Sequence, residues 1–272
     1  MAGALASGAW ATDVEPTTEI VAGVRSLRFQ PSGSKVGTVL HLHGGGFRLG
    51  CPEMIGPFAA ALAERCGVEV VCPAYRLAPE HPFPAGLSDA RAVFRALAAE
   101  GPVIVSGDSA GGGLAAGVAL GAAVEPRPLG VILLSAWLDL TVTSPAYRTN
   151  AASDPLFSYE SAGAAAELYL QGHAPDDPQA SPLFAPLEGY PPTLVSVGAG
   201  EVLVEDGRRF HQALRVAGVA ARLSEIAGME HVAVTRGLSL PGAAETFELV
   251  AAFVTELTRA RMPPDRGSAT PP

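Results

Sequence analysis

The sequence predicts an α/β fold with a mostly parallel central sheet flanked by helices. Three observations carry this expectation. Short apolar, β-branched runs alternate with longer stretches of helical spacing, the pattern of β-α-β units. The length of 272 residues and a 48% hydrophobic content suit one sizeable buried core. A glycine-flanked serine also sits where one of the strands would turn into a helix.

Taken in order, residues 1 to about 20 read as a short, weakly helical arm. Val24–Phe29 and Val36–Leu42 read as strands, separated by the turn-forming run Pro31 to Ser34. Ile55–Cys66 is an Ala-rich helix, and Val68–Cys72 a buried strand bounded by Gly67 and Pro73. A helix over Gly86–Glu100, a strand over Val103–Val105, a helix over Gly111–Ala123 and a strand over Val131–Ser135 continue the alternation. Thr193–Val197 and Ala221–Ile226 are strands around a helix at Glu205–Ala217, and Glu245–Arg259 closes the fold. Residues 144–181 break the rhythm. They read as an insertion over one edge of the sheet, helical at Tyr159–Leu170. Residues 1–262 are thus expected to form one domain, with cap elements at about 1–20 and 144–181, and the Pro-rich residues 263–272 a disordered tail.

The bulk numbers exclude several classes of function. There are 18 basic and 27 acidic residues, a net charge of −9, and no basic stripe, so neither nucleic acid nor an anionic membrane surface is an expected partner. The longest apolar run, around Val131–Leu134, is far short of the roughly 18 residues of a spanning helix. The N-terminus carries no basic residue ahead of its small apolar stretch, so no secretory signal is read. Cys51, Cys66 and Cys72 are odd in number and fit free thiols in a reducing cytoplasm. No Cys/His cluster has zinc-ligand spacing, so no metal is expected.

Chemistry is concentrated in two glycine-rich motifs. Gly107-Asp108-Ser109-Ala110-Gly111 is a G-x-S-x-G pentapeptide between a strand and a helix, the context of a nucleophile elbow. Its glycines allow a sharp turn that sets Ser109 at a helix N-terminus, where partial positive charge favours an oxyanion. An ordinary glycine-rich turn is the plainer reading of the same residues. His43-Gly44-Gly45-Gly46-Phe47 follows an apolar strand and matches a loop that offers backbone N–H groups to an oxyanion. Three adjacent glycines cost backbone entropy, and close approach of backbone to a ligand accounts for that cost. A phosphate-binding loop would need a following Gly-Lys-Ser/Thr, which is missing.

A serine nucleophile needs a base. Of six histidines, His231 lies in a loop after the last expected strand, near the carboxyl ends where sheet ligands gather. His41 sits on a strand, His43 braces the glycine loop, His81 and His173 lie in a turn and the insertion, and His211 lies within a helix. The order nucleophile, acid, histidine places the acid between Ser109 and His231. Glu201 is the first carboxylate after the strand ending at Val197 and is preferred. Glu205 and Asp206 suit the N-terminal cap of the next helix, and Asp139 is the other candidate.

Together these residues resemble the hormone-sensitive-lipase family of bacterial esterases, of the α/β-hydrolase fold. The resemblance rests on His43 to Phe47, on Tyr75-Arg-Leu-Ala-Pro-Glu-His-Pro-Phe-Pro84, on Gly107 to Gly112, and on the shorter Ser181-Pro-Leu-Phe184 and Pro191-Pro-Thr-Leu194, and it spans roughly residues 24–258. It implies Ser109 as nucleophile, His231 as base and Ala110 as an oxyanion N–H donor, with further donors among Gly44, Gly45 and Gly46, chiefly the last two. The family often has Asp in an Asp-Pro-Leu stretch; here the place reads Glu201-Val-Leu203, similar to a subgroup with Glu. The family's arm ahead of the glycine loop is usually longer, so a reduced cap is expected, resting mainly on the insertion. The activity implied is hydrolysis of a carboxylic ester, without metal or organic cofactor, and the short arm, which leaves less apolar surface for a long chain, predicts a preference for short acyl chains. A lactonase, an amidase, an acyltransferase and a non-catalytic receptor remain alternatives, and a homodimer is open by analogy.

Overall fold

A computed structural model of the chain describes residues 14–120 and 126–260. Its centre is an eight-stranded sheet: β1 (Thr17–Val21), β2 (Val24–Phe29), β3 (Thr38–Leu42), β4 (Glu69–Pro73), β5 (Val103–Asp108), β6 (Gly130–Leu134), β7 (Thr193–Gly198) and β8 (Ala221–Ile226). The spatial order is β1-β2-β4-β3-β5-β6-β7-β8. β1, β2 and β4 pair antiparallel, and every pair from β4 to β8 is parallel.

The central strands are buried along their whole length, which is why they read as mostly apolar runs without a polar face. Their side chains still alternate between two cores. Val39, Val70, Ile104 and Ile132 enter one, against Phe58 of α1 (Gly56–Cys66). Leu40, Val71, Val105 and Leu133 enter the other, against Leu87 and Val93 of α2 (Ala85–Glu100) and Leu114 of α3 (Ala110–Val118). Each fully buried large aliphatic is worth about 1.5–3 kcal/mol of transfer free energy, so both cores resist a register slip that would exchange them.

Between β6 and β7 lie α4 (Ala146–Thr149) and α5 (Tyr159–Leu170). Ser158 starts α5 as a capping box: its hydroxyl accepts the Ser161 N–H at 3.2 Å, and its own N–H donates to Ser161 Oγ at 2.9 Å. The buried face of α5 is mainly alanine, so the helix packs close, with Ala165 against the glycine loop and Tyr169 stacked on Phe47. α6 (Val204–Val216) joins β7 to β8. The short α7 (Ala233–Arg236) follows His231, and α8 (Ala243–Arg259) covers the core of α1.

Two expectations are corrected. The helical arm over residues 1–20 is not helical where it is described. Thr17–Val21 is an edge strand that turns back through Ala22 (φ 49°) and Gly23 (φ 86°) into β2, so it extends the sheet. Residues 1–13 of that arm lie outside the described residues, as does the expected tail at 263–272. The helix expected over Gly111–Ala123 ends at Val118, and residues 121–123 of it also lie outside the described residues. No helix among the described residues is long and apolar enough to cross a membrane.

Candidate active site

Ser109 stands between β5 and α3 with φ 51° and ψ −122°, a backbone geometry that a side-chain-bearing residue adopts only when its surroundings force it. The surroundings do so through missing side chains. A Cβ on Gly107 would lie 2.2 Å from the Gly111 carbonyl oxygen, and one on Gly111 would lie 2.1 Å from that of Leu42. The Ser109 backbone is then pinned from both sides. Its N–H donates to Leu134 O at 2.9 Å, and its carbonyl accepts from Gly112, Gly113 and Trp137 at 3.0, 3.2 and 2.9 Å. Only the hydroxyl is left to act.

That hydroxyl lies 3.0 Å from His231 Nε2, and His231 Nδ1 lies 2.7 Å from Glu201 Oε2. With Glu201 ionised, Nδ1 carries the proton and donates it to the carboxylate, so Nε2 is free to accept from Ser109. The three residues follow the carboxyl ends of β5, β7 and β8, the edge where open α/β sheets build their sites. All three are buried, Glu201 at 1% exposure. Its second oxygen accepts from Ser135 Oγ at 2.8 Å and from the Gly198 N–H at 2.5 Å. Burial works against an imidazolium at His231. The hydrogen bond and charge of Glu201, then the charges of Asp154 and Asp108, outweigh it and raise the pKa above its ordinary value.

The glycine loop lies against Ser109. A Cβ on Gly44 would come within 3.1 Å of Ser109 Cβ and 2.4 Å of Asp108 Oδ2. Gly45 (φ 120°) and Gly46 (φ 61°) turn the loop in the left-handed region. The N–H groups of Gly45, Gly46 and Ala110 donate to no acceptor among the described residues, which leaves them for a ligand. His43 braces the loop as expected. Its ring stacks on Tyr75 with centroids 4.3 Å apart, its Nδ1 donates to Gly44 O at 2.8 Å, and the Tyr75 hydroxyl donates to His43 O at 2.6 Å. Burial lowers its pKa, which keeps it neutral. His41 is held between Ser106 and Asp108 inside the sheet.

The other acids considered from sequence are occupied elsewhere. Glu205 pairs with Arg208 at 2.6 Å, and Asp139 with Arg209 at 3.0 Å. Asp206 does not cap α6, which corrects that expectation. Its Oδ2 reaches back to accept the N–H groups of Leu138 and Asp139 at 2.9 and 3.0 Å, while Oδ1 has no hydrogen-bond partner. Burial, with only one oxygen satisfied, pushes its pKa up to about 7.

Two site residues were not singled out from sequence. Ser135 bridges acid and base loops, since its Oγ also accepts the Val232 N–H at 3.2 Å. Its place just after an apolar strand was the available signal. Asp154 gave none, because Ser153-Asp154-Pro155 reads as an ordinary turn. Asp154, Glu201 and His231 bring potential ligand atoms within 4.8 Å of one another. Both ring nitrogens and all four carboxylate oxygens of the cluster hold hydrogen bonds.

Comparison with known proteins agrees with this fold. A family model described as alpha/beta hydrolase fold matches residues 39–235. An esterase of Acinetobacter venetianus is 36% identical over 253 residues, covering 89% of this chain and 84% of that protein. An acetyl-hydrolase of Streptomyces hygroscopicus is 37% identical over 227 residues, covering 81% and 76%. The crystal structure of an esterase from the bacterial hormone-sensitive lipase family superposes with a TM-score of 0.88 at 35% identity, covering 93% of this chain and 88% of the other. EstE5, in a crystal soaked with p-nitrophenyl butyrate, does so with a TM-score of 0.88 at 32% identity, covering 95% and 90%. The chain therefore belongs to the α/β-hydrolase fold family, among the bacterial esterases of the hormone-sensitive-lipase family.

Proposed function

We propose that this protein hydrolyses short-chain carboxylic esters by two-step acyl transfer through Ser109, His231 and Glu201. The observation that carries the reading is the unbroken chain from Ser109 Oγ to His231 Nε2 at 3.0 Å and from His231 Nδ1 to Glu201 at 2.7 Å. As Ser109 Oγ bonds to the ester carbonyl carbon, its proton passes to His231 Nε2. The carbonyl electron pair moves onto oxygen, where the N–H groups of Gly45, Gly46 and Ala110 receive it. Collapse breaks the bond to the alcohol oxygen, which leaves with the proton from Nε2. Water then attacks the acyl-Ser109 by the same route, releasing the acid and restoring the serine. Glu201 keeps the imidazole in the required tautomer and balances its positive charge.

Short acyl chains are favoured by the insertion packed over the loop. Phe47, Trp137, Phe157 and Tyr169 pack against one another there, with Phe47 and Tyr169 stacked 3.9 Å apart. The acetyl-hydrolase relative supports the same size class. The test is a panel of p-nitrophenyl esters of increasing chain length, with and without a covalent serine inhibitor. Turnover highest at roughly two to six carbons and lost with the inhibitor is expected. Faster hydrolysis of a long-chain ester than of the butyrate at matched solubility refutes the size preference, and inhibitor-insensitive turnover refutes the nucleophile.

A further inference from the structure

The chemistry above uses one carboxylate, but a second lies in the same buried cluster. Asp154 belongs to the connector between α4 and α5 and is 4% exposed. Only backbone donors meet it: Oδ2 accepts the Val202 N–H at 3.0 Å, and Oδ1 accepts those of Leu156 and Phe157, each at 3.2 Å. Its neighbours extend the grip. Asn150 Nδ2 donates to the carbonyls of Glu201 at 2.8 Å and Ala199 at 3.4 Å, and Ser153 Oγ donates to that of Gly200 at 2.7 Å. Each residue of the turn 199–202, the turn that carries Glu201, is therefore bonded from this connector. Phe157, at the connector's end, lies parallel to the His231 ring, with centroids 5.8 Å apart and planes 11° from coplanar orientation.

An amide could replace only one of the two accepting oxygens, because its NH2 would face an N–H donor, so the connector already calls for a carboxylate. A charge here has a use that an amide lacks. The imidazolium of His231 forms as Ser109 gives up its proton, and in a water-poor site a nearby anion stabilises it more than it would in water. We propose that Asp154 is a positioning residue for Glu201 and a second anionic partner of His231. The proposal rests on the esterase reading above. Three carboxylates face His231 from three elements: Glu201 from the turn after β7, Asp154 from the insertion, and Asp108 from the end of β5, the last already bonded to His41. Glu230, beside the histidine in sequence, is paired outward with Arg236. Asp154 is the one of these whose contacts are otherwise all to backbone.

The test compares kcat and KM against pH for the wild type and for Asp154→Asn, Asp154→Glu, and the double variant Asn150→Ala/Ser153→Ala, using p-nitrophenyl butyrate and a thermal midpoint for each. Asp154→Asn removes the charge and leaves one acceptor oxygen in place of two. Its acidic limb should move to lower pH by about one unit, with kcat reduced roughly tenfold and KM within about twofold. Asp154→Glu should return the limb towards that of the wild type. The double variant loosens the grip and leaves the charge, so kcat should fall several-fold while the limb stays in place. An unshifted limb in folded Asp154→Asn overturns the proposal, and so does wild-type kcat in the folded double variant, which decides the matter if Asp154→Asn does not fold. No turnover by the wild type overturns the esterase reading and this one with it; an active wild type with either result above overturns this one alone.

Discussion

Ser135 Oγ donates to Glu201 Oε1 at 2.8 Å from the side of the carboxylate opposite His231. The same oxygen accepts the Val232 N–H at 3.2 Å, so one hydroxyl ties the acid to the loop of the base. The residue holds this place with φ 47°, a conformation that a side chain disfavours. Ser135→Ala should lower kcat by roughly 10- to 100-fold, the worth of a hydrogen bond to a charged group at about 1.5–3 kcal/mol. Ser135→Gly removes the same hydroxyl but relieves the backbone, so it should match the loss of rate with a higher thermal midpoint than the alanine variant. Steady-state rates and melting curves for the pair check this; full activity in both would show the bridge to be incidental.

Glu201 and Asp206 are expected to separate cleanly. Glu201→Gln should keep the fold and lose about 10⁴ in turnover, the scale of the corresponding change in a serine protease triad. Asp206→Asn should stay within a few-fold of wild-type turnover and change stability instead. The Asp206 carboxyl has a raised pKa in the folded protein, about 7, against roughly 3.9 in an unfolded chain. Its contribution to stability is therefore complete below about pH 4 and lost as pH rises through 7. The wild type should lose more stability than Asp206→Asn between pH 5 and 8, as denaturant titrations at several pH values would reveal. An inactive Asp206→Asn beside an active Glu201→Gln would reverse the roles.

The pH dependence of kcat/KM should show an acidic limb with an apparent pKa above 6.5, since the His231 pKa is raised and the base must be neutral. The linked stability has the opposite sense. A raised histidine pKa stabilises the fold below the unfolded value and ceases to do so as pH passes the folded one, so activity gains where this contribution is lost. A limb centred well below 6.5 in a pH–rate profile would contradict the assignment.

Gly45→Ala and Gly46→Ala should differ. At Gly45 the new Cβ would fall 2.1 Å from the Leu49 carbonyl oxygen at φ 120°, so the loop must move and its N–H donors with it. Turnover should drop by roughly 10²- to 10³-fold, as for loss of an oxyanion donor. At Gly46 the nearest atom is Ala165 Cβ at 3.5 Å and φ is 61°, leaving only a left-handed penalty of about 1–2 kcal/mol. Equal kcat for the two variants would be the unexpected result.

How much was legible beforehand follows from the range of the interactions involved. The central strands announce themselves because burial on both faces makes runs such as Val131–Leu134 wholly apolar and leaves His41 as the one polar residue of Val39–Leu42. Ser109, Glu201 and His231 were legible because strand ends and chain order locate them, and the structure brings all three together. Thr17–Val21 was missed because an edge strand with mostly exposed faces carries no apolar run, although the Ala22-Gly23 turn was a usable sign of a hairpin. The role of Asp206 was illegible for another reason: its partner Leu138 lies 68 residues earlier, beyond any local pattern. Asp154 is a similar case: its bonds to Leu156 and Phe157 are local, but the Val202 N–H that ties it to the turn of Glu201 lies 48 residues away.

The span from Ser109 to His231 is 122 residues, with Glu201 drawn from between them. During synthesis, the elbow and glycine loop emerge well before any base exists to activate them. Domains made N-terminus first can order early segments while later ones are still in the ribosome. On the proposed triad a nascent chain is expected to stay silent until the loop after β8 docks, so that the appearance of esterase activity in a translation reaction would time the closing of the last strand.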